Sequence, residues 1–325
     1  MDQDMNIWSI SSEAEFEAAA METFRYVSEH CSIYKRYLEL IECNPLHVEH
    51  SSEIPHLPIS LFKSHLIYSH SAPPEAIFTS SNTGSTIASR HAMASLEIYE
   101  RAFTKGFELF YGATEGWSIY ALLPSYLERE GSSLIYMADK LIAKCGSGGF
   151  YLNNYEQLIA DMAADPKPKI LLGVSYALWD LAEIHAPKLE NTIVMETGGM
   201  KGRREEIAKS ELHKILCRGF GVEKIHSEYG MAELTSQGYS QGENIFRTPP
   251  WMRVSTRDLN DPMERLAAGR RGGINITDLA SRYSMPFIQS EDMGVLLADG
   301  SFTIDGRISR SDIRGCNLLV DGYER

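Results

Sequence analysis

Two well-separated stretches carry residue types suited to a nucleotide. Thr79-Ser80-Ser81-Asn82-Thr83-Gly84-Ser85-Thr86 is small and hydroxyl-rich. Such residues let backbone N–H groups converge on an anion, and the hydroxyls add donors. The stretch lacks the GxxxxGK[ST] pattern of a Walker loop, and by itself it is equally an ordinary turn. His226-Ser227-Glu228-Tyr229-Gly230-Met231-Ala232-Glu233-Leu234 sets an aromatic ring four residues ahead of a carboxylate. Tyr229 suits stacking on a purine, and Glu233 suits holding magnesium against phosphate oxygens. The plainer alternative is a strand-to-helix turn in which Gly230 supplies a special backbone angle. Found in one chain, the two stretches point to a site for ATP.

Alternating strands and helices must position these groups. Residues 11–46 are predicted helical, with Ser11 or Ser12 as the cap and acidic residues in the first turn. Ile54-Pro55-His56-Leu57-Pro58 breaks that pattern, because proline removes a donor and restrains its predecessor. Ile59 to Phe62 then resume as a short apolar segment. Ala76 to Thr79 reads as a strand leading into the hydroxyl-rich loop. A helix is predicted next, with Met93, Leu96, Tyr99, Phe103, Phe107 and Phe110 at helical spacing and its positive end near the loop. Strands are predicted at Trp117 to Leu123, Leu134 to Met137, Ile170 to Val174 and Thr192 to Met195, with helices around 176–186 and 204–218. After about residue 243, short β-like runs (Ile274 to Thr277, Gly294 to Leu297, Phe302 to Ile304) lie between Gly and Asp turns. The interleaving predicts an α/β fold with a mainly parallel sheet. The expected layout is one domain in three parts: a helical region at 1–71, an α/β nucleotide-binding core at 72–242, and a β-rich subdomain and tail at 243–325.

Bulk properties narrow the classes. The chain has 325 residues, 43% hydrophobic and 23% charged, enough for a large core. Its net charge of −13 argues against a nucleic-acid surface, which needs a basic field. The five cysteines (Cys31, Cys43, Cys145, Cys217 and Cys316) are odd in number and scattered. They suggest neither a disulfide framework nor a zinc site. The acidic start MDQDMNIWSI is unlike a secretory signal. No apolar run is long enough for a membrane span. A cytoplasmic protein is the expectation.

The two stretches resemble the phosphate loop and the adenine/magnesium motif of the adenylate-forming superfamily (acyl-CoA synthetases, adenylation domains and luciferases). Ile54-Pro55-His56-Leu57-Pro58-Ile59-Ser60-Leu61-Phe62-Lys63-Ser64 is similar, more narrowly, to an N-terminal signature of the bacterial luminescence acyl-protein synthetases. Phenylacetate-CoA ligases are more distant relatives. The resemblance covers roughly residues 50–320. It implies the superfamily's large-domain fold, with mainly parallel sheets flanked by helices and a small β-rich subdomain. It also implies ATP and Mg²⁺. On this resemblance Ser80, Ser81, Thr83, Gly84, Ser85 and Thr86 would face phosphates. Gly198 and Gly199, in Glu196-Thr197-Gly198-Gly199-Met200-Lys201, would form the adenine-side loop. Tyr229 and Gly230 would meet the base, and Glu233 would serve as metal ligand and catalytic group. Asp292, in Gln289-Ser290-Glu291-Asp292-Met293-Gly294, would accept from the ribose hydroxyls. Arg307, after Gly306, would mark the hinge and reach the nucleotide. From the residues alone, the glycine pair is also a strand-end turn, Asp292 a turn residue and Arg307 a surface charge.

Three departures from the family pattern matter. The lysine usually found a few residues past the phosphate-loop glycine is missing, and Arg90 and His91 are the nearest substitutes. Arg90 is the expected catalytic cation, with fork geometry in place of a point charge; it reads equally as a surface residue. The region before Asp292 is short, which favours the acyl-protein branch. The superfamily's C-terminal domain is expected to be absent or vestigial, since little sequence follows Arg307. That draws attention to Cys316, in Ser311-Asp312-Ile313-Arg314-Gly315-Cys316-Asn317-Leu318-Leu319. The luminescence synthetases carry a similar cysteine that accepts the acyl group as a thioester. Arg314 would favour the thiolate, the reactive form. The other reading of Cys316 is a small packed hydrophobe.

The resemblance therefore implies ATP-dependent activation of a carboxylic acid, most simply a fatty acid, as an acyl-adenylate, followed by transfer to a protein thiol. The acceptor would be Cys316 or a partner such as a reductase or carrier protein. Two alternatives stand beside it: a compact acyl-CoA ligase, and a nucleotide-binding subunit that needs a partner for acyl transfer.

Overall fold

In the computed structural model, residues 6–80, 87–124, 131–200, 203–205 and 207–308 are described. The chain opens with α1 (Glu13–His30) and α2 (Ser32–Leu40). Ser12 caps α1: its side chain accepts from Glu15 N at 3.3 Å, and the Glu15 carboxylate accepts from Ser12 N at 3.0 Å. This reciprocal box satisfies two donors that a helix start otherwise leaves open. After the proline-broken segment come β1 (Leu57–Pro58) and α3 (Leu61–Ser64).

The antiparallel hairpin β2 (Ala76–Thr79) and β3 (Arg90–Met93) follows, then α4 (Leu96–Tyr111). The sequence placed a helix straight after the hydroxyl-rich stretch; a strand stands there instead. Arg90 to Met93 pair residue for residue with β2, so Met93 matches the helical spacing of α4 without belonging to it. The start of α4 is therefore separated from the loop by a full strand.

Next come β4 (Ser118–Leu122), α5 (Ser133–Cys145), β5 (Gly148–Tyr151), α6 (Tyr155–Ala164), β6 (Lys169–Val174), α7 (Ser175–Ile184), β7 (Thr192–Thr197), α8 (Lys209–Phe220) and β8 (His226–Tyr229). The strand predicted at Leu134 to Met137 is the first turn of α5. Ser132 caps it from Ile135 N at 3.3 Å, and Met137, Ala138, Leu141 and Cys145 bury one face at helical spacing. A short apolar run at a helix start mimics a buried strand. The helix predicted over 204–218 begins later, at Lys209.

The chain continues through β9 (Gly238–Ser240), β10 (Phe246–Arg247), β11 (Met252–Arg257), β12 (Arg271–Asp278), β13 (Phe287–Leu296) and β14 (Phe302–Arg307). One large sheet runs in the order β11-β12-β13-β14-β10-β9-β8-β7-β6-β4-β5, with β1 added alongside β13. The segment β5-β4-β6-β7-β8 is parallel, as the alternation of strands and helices predicts. From β8 to β11 along the sheet the pairings are antiparallel.

Helices cover the parallel part, and its core joins Phe103, Phe107, Leu122, Leu171, Leu178, Leu216 and Phe220. The antiparallel part packs on the N-terminal helices through Phe24, Tyr34, Leu57, Phe62, Phe287 and Phe302. β8 lies where the parallel region meets the antiparallel one. Among the described residues, no helix is long and apolar enough to cross a membrane.

Candidate functional site

The hydroxyl-rich stretch departs from β2 and returns into β3, and its two ends are fastened together. Ser89 N donates to Ser80 Oγ at 3.0 Å, and the two hydroxyl oxygens lie 2.8 Å apart. The Ser89 hydroxyl also donates to Glu233 Oε1. The mouth of the loop is thus joined to the carboxylate that the second stretch supplies. Glu233 is 6% exposed. Burial raises its carboxyl above the usual range. The Ser89 bond, its own backbone N–H and the cations Arg307 and Lys63 work against that rise.

His91, two residues along β3, holds the same turn. One ring nitrogen meets Ala232 O at 2.8 Å and the other meets Ser284 Oγ at 2.7 Å. Burial takes its pKa down to about 4, so it serves as a neutral brace and supplies no charge. Arg90 lies between Ser89 and His91 on the strand. Successive strand residues point to opposite faces, and Arg90 is exposed while both neighbours are buried. The expected catalytic cation therefore stands on the face away from Glu233.

A second corner forms where β8 meets β13 and β14. The Tyr229 hydroxyl donates to Asp292 Oδ2 at 2.8 Å. Its ring packs edge-on against Phe246 and Phe302, with centroids 5.9 and 5.6 Å away. Asp292 and Arg307 are paired across β13 and β14, with Arg307 Nε 3.7 Å from Asp292 Oδ1. Burial raises the Asp292 carboxyl; the Tyr229 hydroxyl and the charge of Arg307 oppose it. Arg307 is itself mostly exposed, so its charge faces solvent.

The glycines expected to form the adenine-side loop lie at the end of β7, and Gly230 lies at the end of β8. Gly198 has φ +71°, a left-handed conformation that suits glycine. A side chain on Gly230 would meet Glu228 Oε1 at 2.3 Å, so that position is held by close approach. Two carboxylates lie buried beside these glycines.

Glu196 is bonded by Ser227 at 2.7 Å and Ser175 at 3.0 Å, with Lys209 Nζ at 2.5 Å. Burial alone would raise it, but Lys209, His213 and Ser227 hold it down at about 2. Glu228 accepts from Thr197 Oγ1 at 2.5 Å and borders a small apolar cavity lined by Phe107, Leu172, Met195 and Tyr239. Burial pushes it up to about 7. Thr197 opposes the shift, and the charge of Glu196 adds to it. Neither Glu196 nor Glu228 stands out in the sequence, because both occupy strand positions beside the motif residues.

The two groups have opposite effects on stability. The contribution of Glu196 is present above the ordinary glutamate pKa and is lost as pH falls toward about 2. That of Glu228 is present below the ordinary value and is lost as pH rises through about 7. Wild type is therefore expected to lose on the order of 3 kcal/mol between pH 4.5 and 8 that Glu228→Gln does not lose. Urea unfolding of both proteins across that range measures it. Parallel profiles would show that Glu228 is not held protonated.

Among the residues expected from sequence, the fold brings Ser80 together with Glu233, and Tyr229 together with Asp292 and Arg307. Gly198, Gly199 and Gly230 lie at the ends of β7 and β8. Ser81, Thr83, Gly84, Ser85, Thr86 and Cys316 lie outside the described residues. The described cysteines, Cys31, Cys43, Cys145 and Cys217, are buried or half-buried free thiols. Burial pushes all four thiols up, Cys145 to about 11. Ser89, the residue that joins the loop to Glu233, went unnoticed in the sequence because it lies past the glycine and carries no charge.

No family model matches the chain, and no curated protein matches it. Solved structures do. One is an open conformation of 2-hydroxyisobutyryl-CoA ligase in complex with 2-HIB-AMP and CoA, at TM-score 0.68 and 13% identity over 92% of this chain and 70% of that one. The chain has the fold of the adenylate-forming enzymes. ATP-bound MatB from Rhodopseudomonas palustris aligns at TM-score 0.54 and 14% identity, over 74% of this chain and 49% of that one. A luciferase-like enzyme from the nonluminescent Zophobas morio mealworm aligns at 0.50 and 15%, over 72% and 57%. The adenylate-forming fold here thus spans about half the length of the MatB structures it matches.

Proposed function

We propose that the protein activates a carboxylic acid with ATP, forming an acyl-adenylate and pyrophosphate, and passes the acyl group to a thiol. The observation that carries this reading is the Ser80–Ser89–Glu233 junction: the described ends of the hydroxyl-rich stretch meet at a buried carboxylate. Tyr229 on β8, with Asp292 and Arg307 on the adjoining strands β13 and β14, forms a second polar corner, of a kind suited to a nucleoside.

In the reaction, a carboxylate oxygen of the acid attacks the α-phosphorus, and the bond to the bridging oxygen of pyrophosphate breaks. The protein's part is positioning and charge stabilisation. Asp292 accepts from the ribose hydroxyls, with Tyr229 fixing its orientation. The backbone at Gly198 and Gly199 lets the base approach closely. Arg307 offers charge to the nucleotide. The donors at Glu233 and Ser89 are oxygens, which fits a hard cation. Among the described residues there is no cluster of three or more His, Cys, Asp or Glu that could hold a metal. Mg²⁺ would accordingly depend on nucleotide phosphates for much of its shell, with Glu233 as its protein ligand; when bound it neutralises phosphate charge.

The similarity of residues 54–64 to the luminescence acyl-protein synthetases favours a protein thiol as acceptor, Cys316 or one on a partner, and a fatty acid as substrate. A neighbouring structure in complex with CoA keeps acyl-CoA formation as the second reading.

The test is ATP–pyrophosphate exchange across a panel of fatty, hydroxy and aromatic acids. Exchange is expected with at least one acid, and none with any acid in folded protein would sink the proposal. Intact mass then separates the acceptors. A hydroxylamine-labile acyl adduct lost in Cys316→Ala supports the protein thiol, whereas release of acyl-CoA with no adduct supports the ligase.

A further inference from the structure

We infer that Lys63 is the cation that holds the leaving phosphates of ATP beside Glu233, the role that the sequence pattern gave to Arg90. The inference rests on the adenylation reading and goes beyond it by naming a residue from a different part of the chain.

The position of Lys63 is set from two sides. β1 pairs in parallel with β13 at Leu57↔Ile288 and Pro58↔Gln289, and Ile59 N donates to Gln289 O at 3.0 Å. That anchors the segment just upstream of Asp292. One turn later Phe62, wholly buried, meets the His91 ring edge-on at 6.0 Å. His91 is in turn bonded to Ala232 O, next to Glu233. The short helix α3 is therefore clamped to the strand that leaves the loop and to the turn that carries the carboxylate.

Lys63 follows Phe62 directly and is exposed. Through Phe62 and His91, α3 is held against the turn that carries Glu233, and Lys63 is the next residue along. Arg307 already sits near Asp292 at 3.7 Å. Lys63 forms no ion pair among the described residues, so its charge is free for a ligand. His91 is neutral, and Arg90 stands on the other face of β3. An ammonium on a flexible four-carbon stem can follow a phosphate group as it departs, which a rigid guanidinium fork does less readily.

Calorimetry with Mg-ATP, pyrophosphate and AMP, together with exchange kinetics, tests this on the full chain. Lys63→Met is expected to weaken Mg-ATP and pyrophosphate at least tenfold and leave AMP within about twofold, because AMP lacks the leaving groups. Lys63→Arg should recover part of the loss. The side chain is exposed, so the melting temperature of Lys63→Met should match wild type. Equal loss of AMP and ATP would mark a structural role and overturn the inference. So would unchanged ATP binding in Lys63→Met, or a selective ATP loss in Arg90→Met alone. Wild type that binds neither ATP nor pyrophosphate would end the adenylation reading itself, and Lys63 would fall with it.

Discussion

Glu233→Gln is expected to lower acid-dependent pyrophosphate exchange by about 10²–10³-fold, the range seen when one electrostatic contact to developing charge is removed. The exchange keeps the shape of the side chain and an oxygen for the Ser89 hydroxyl to bond. It removes the negative charge that a hard cation needs. The expected pattern is a fall in kcat with nucleotide binding retained in magnesium-free buffer. A variant within a few-fold of wild type would remove Glu233 from the chemistry. A variant that also loses its hairpin, seen as altered proteolysis around the β2–β3 mouth, would recast Glu233 as a structural post.

The largest stability effect is expected at Asp278. This carboxylate is fully buried and accepts from Thr235 N at 3.0 Å, Ser236 N at 2.7 Å, Ser236 Oγ at 2.7 Å and Ala280 N at 3.2 Å. Ser236 Oγ takes a further bond from Trp251 Nε1 at 2.9 Å. Asp278→Ala strands several buried donors at once, and losing one partner of a buried charged network costs roughly 3–5 kcal/mol. The urea midpoint should fall with the slope unchanged. A loss under about 1 kcal/mol would mean that water or a shifted side chain replaces the carboxylate. Because Thr235 lies two residues past Glu233, the variant should also blunt exchange well below its melting temperature.

Strong local patterns made much of this legible in the sequence. Ser11 or Ser12 followed by acidic residues announced α1, and the apolar runs at Ile170 to Val174 and Thr192 to Met195 announced buried strands. Tyr229, Asp292 and Arg307 were each readable from a motif, although their meeting across β8, β13 and β14 depends on strand register, which no local pattern carries. The hairpin β2–β3 was hidden because Met93 happens to fall in phase with the next helix. The N-terminal turn of α5 was hidden because a capped apolar run looks like a strand until its fourth residue. Arg90 was chosen by nearness in sequence, whereas strand alternation turns it away and brings Ser89 in. Glu228 could have drawn notice as an acidic residue inside a strand whose other neighbours are buried. Its raised pKa, however, comes first from depth and then from Glu196 on another strand, and neither is a property of the chain read in order.

The pairing of Leu57 with Ile288 joins residues over two hundred positions apart. During synthesis the segment that holds Leu57 has no seat on the sheet until the strand Phe287–Leu296 has emerged. A nascent chain stopped short of that strand would hold every atom of the Lys63 turn and have nowhere to dock it. Docking of that turn is thereby timed to the emergence of a strand far along the chain.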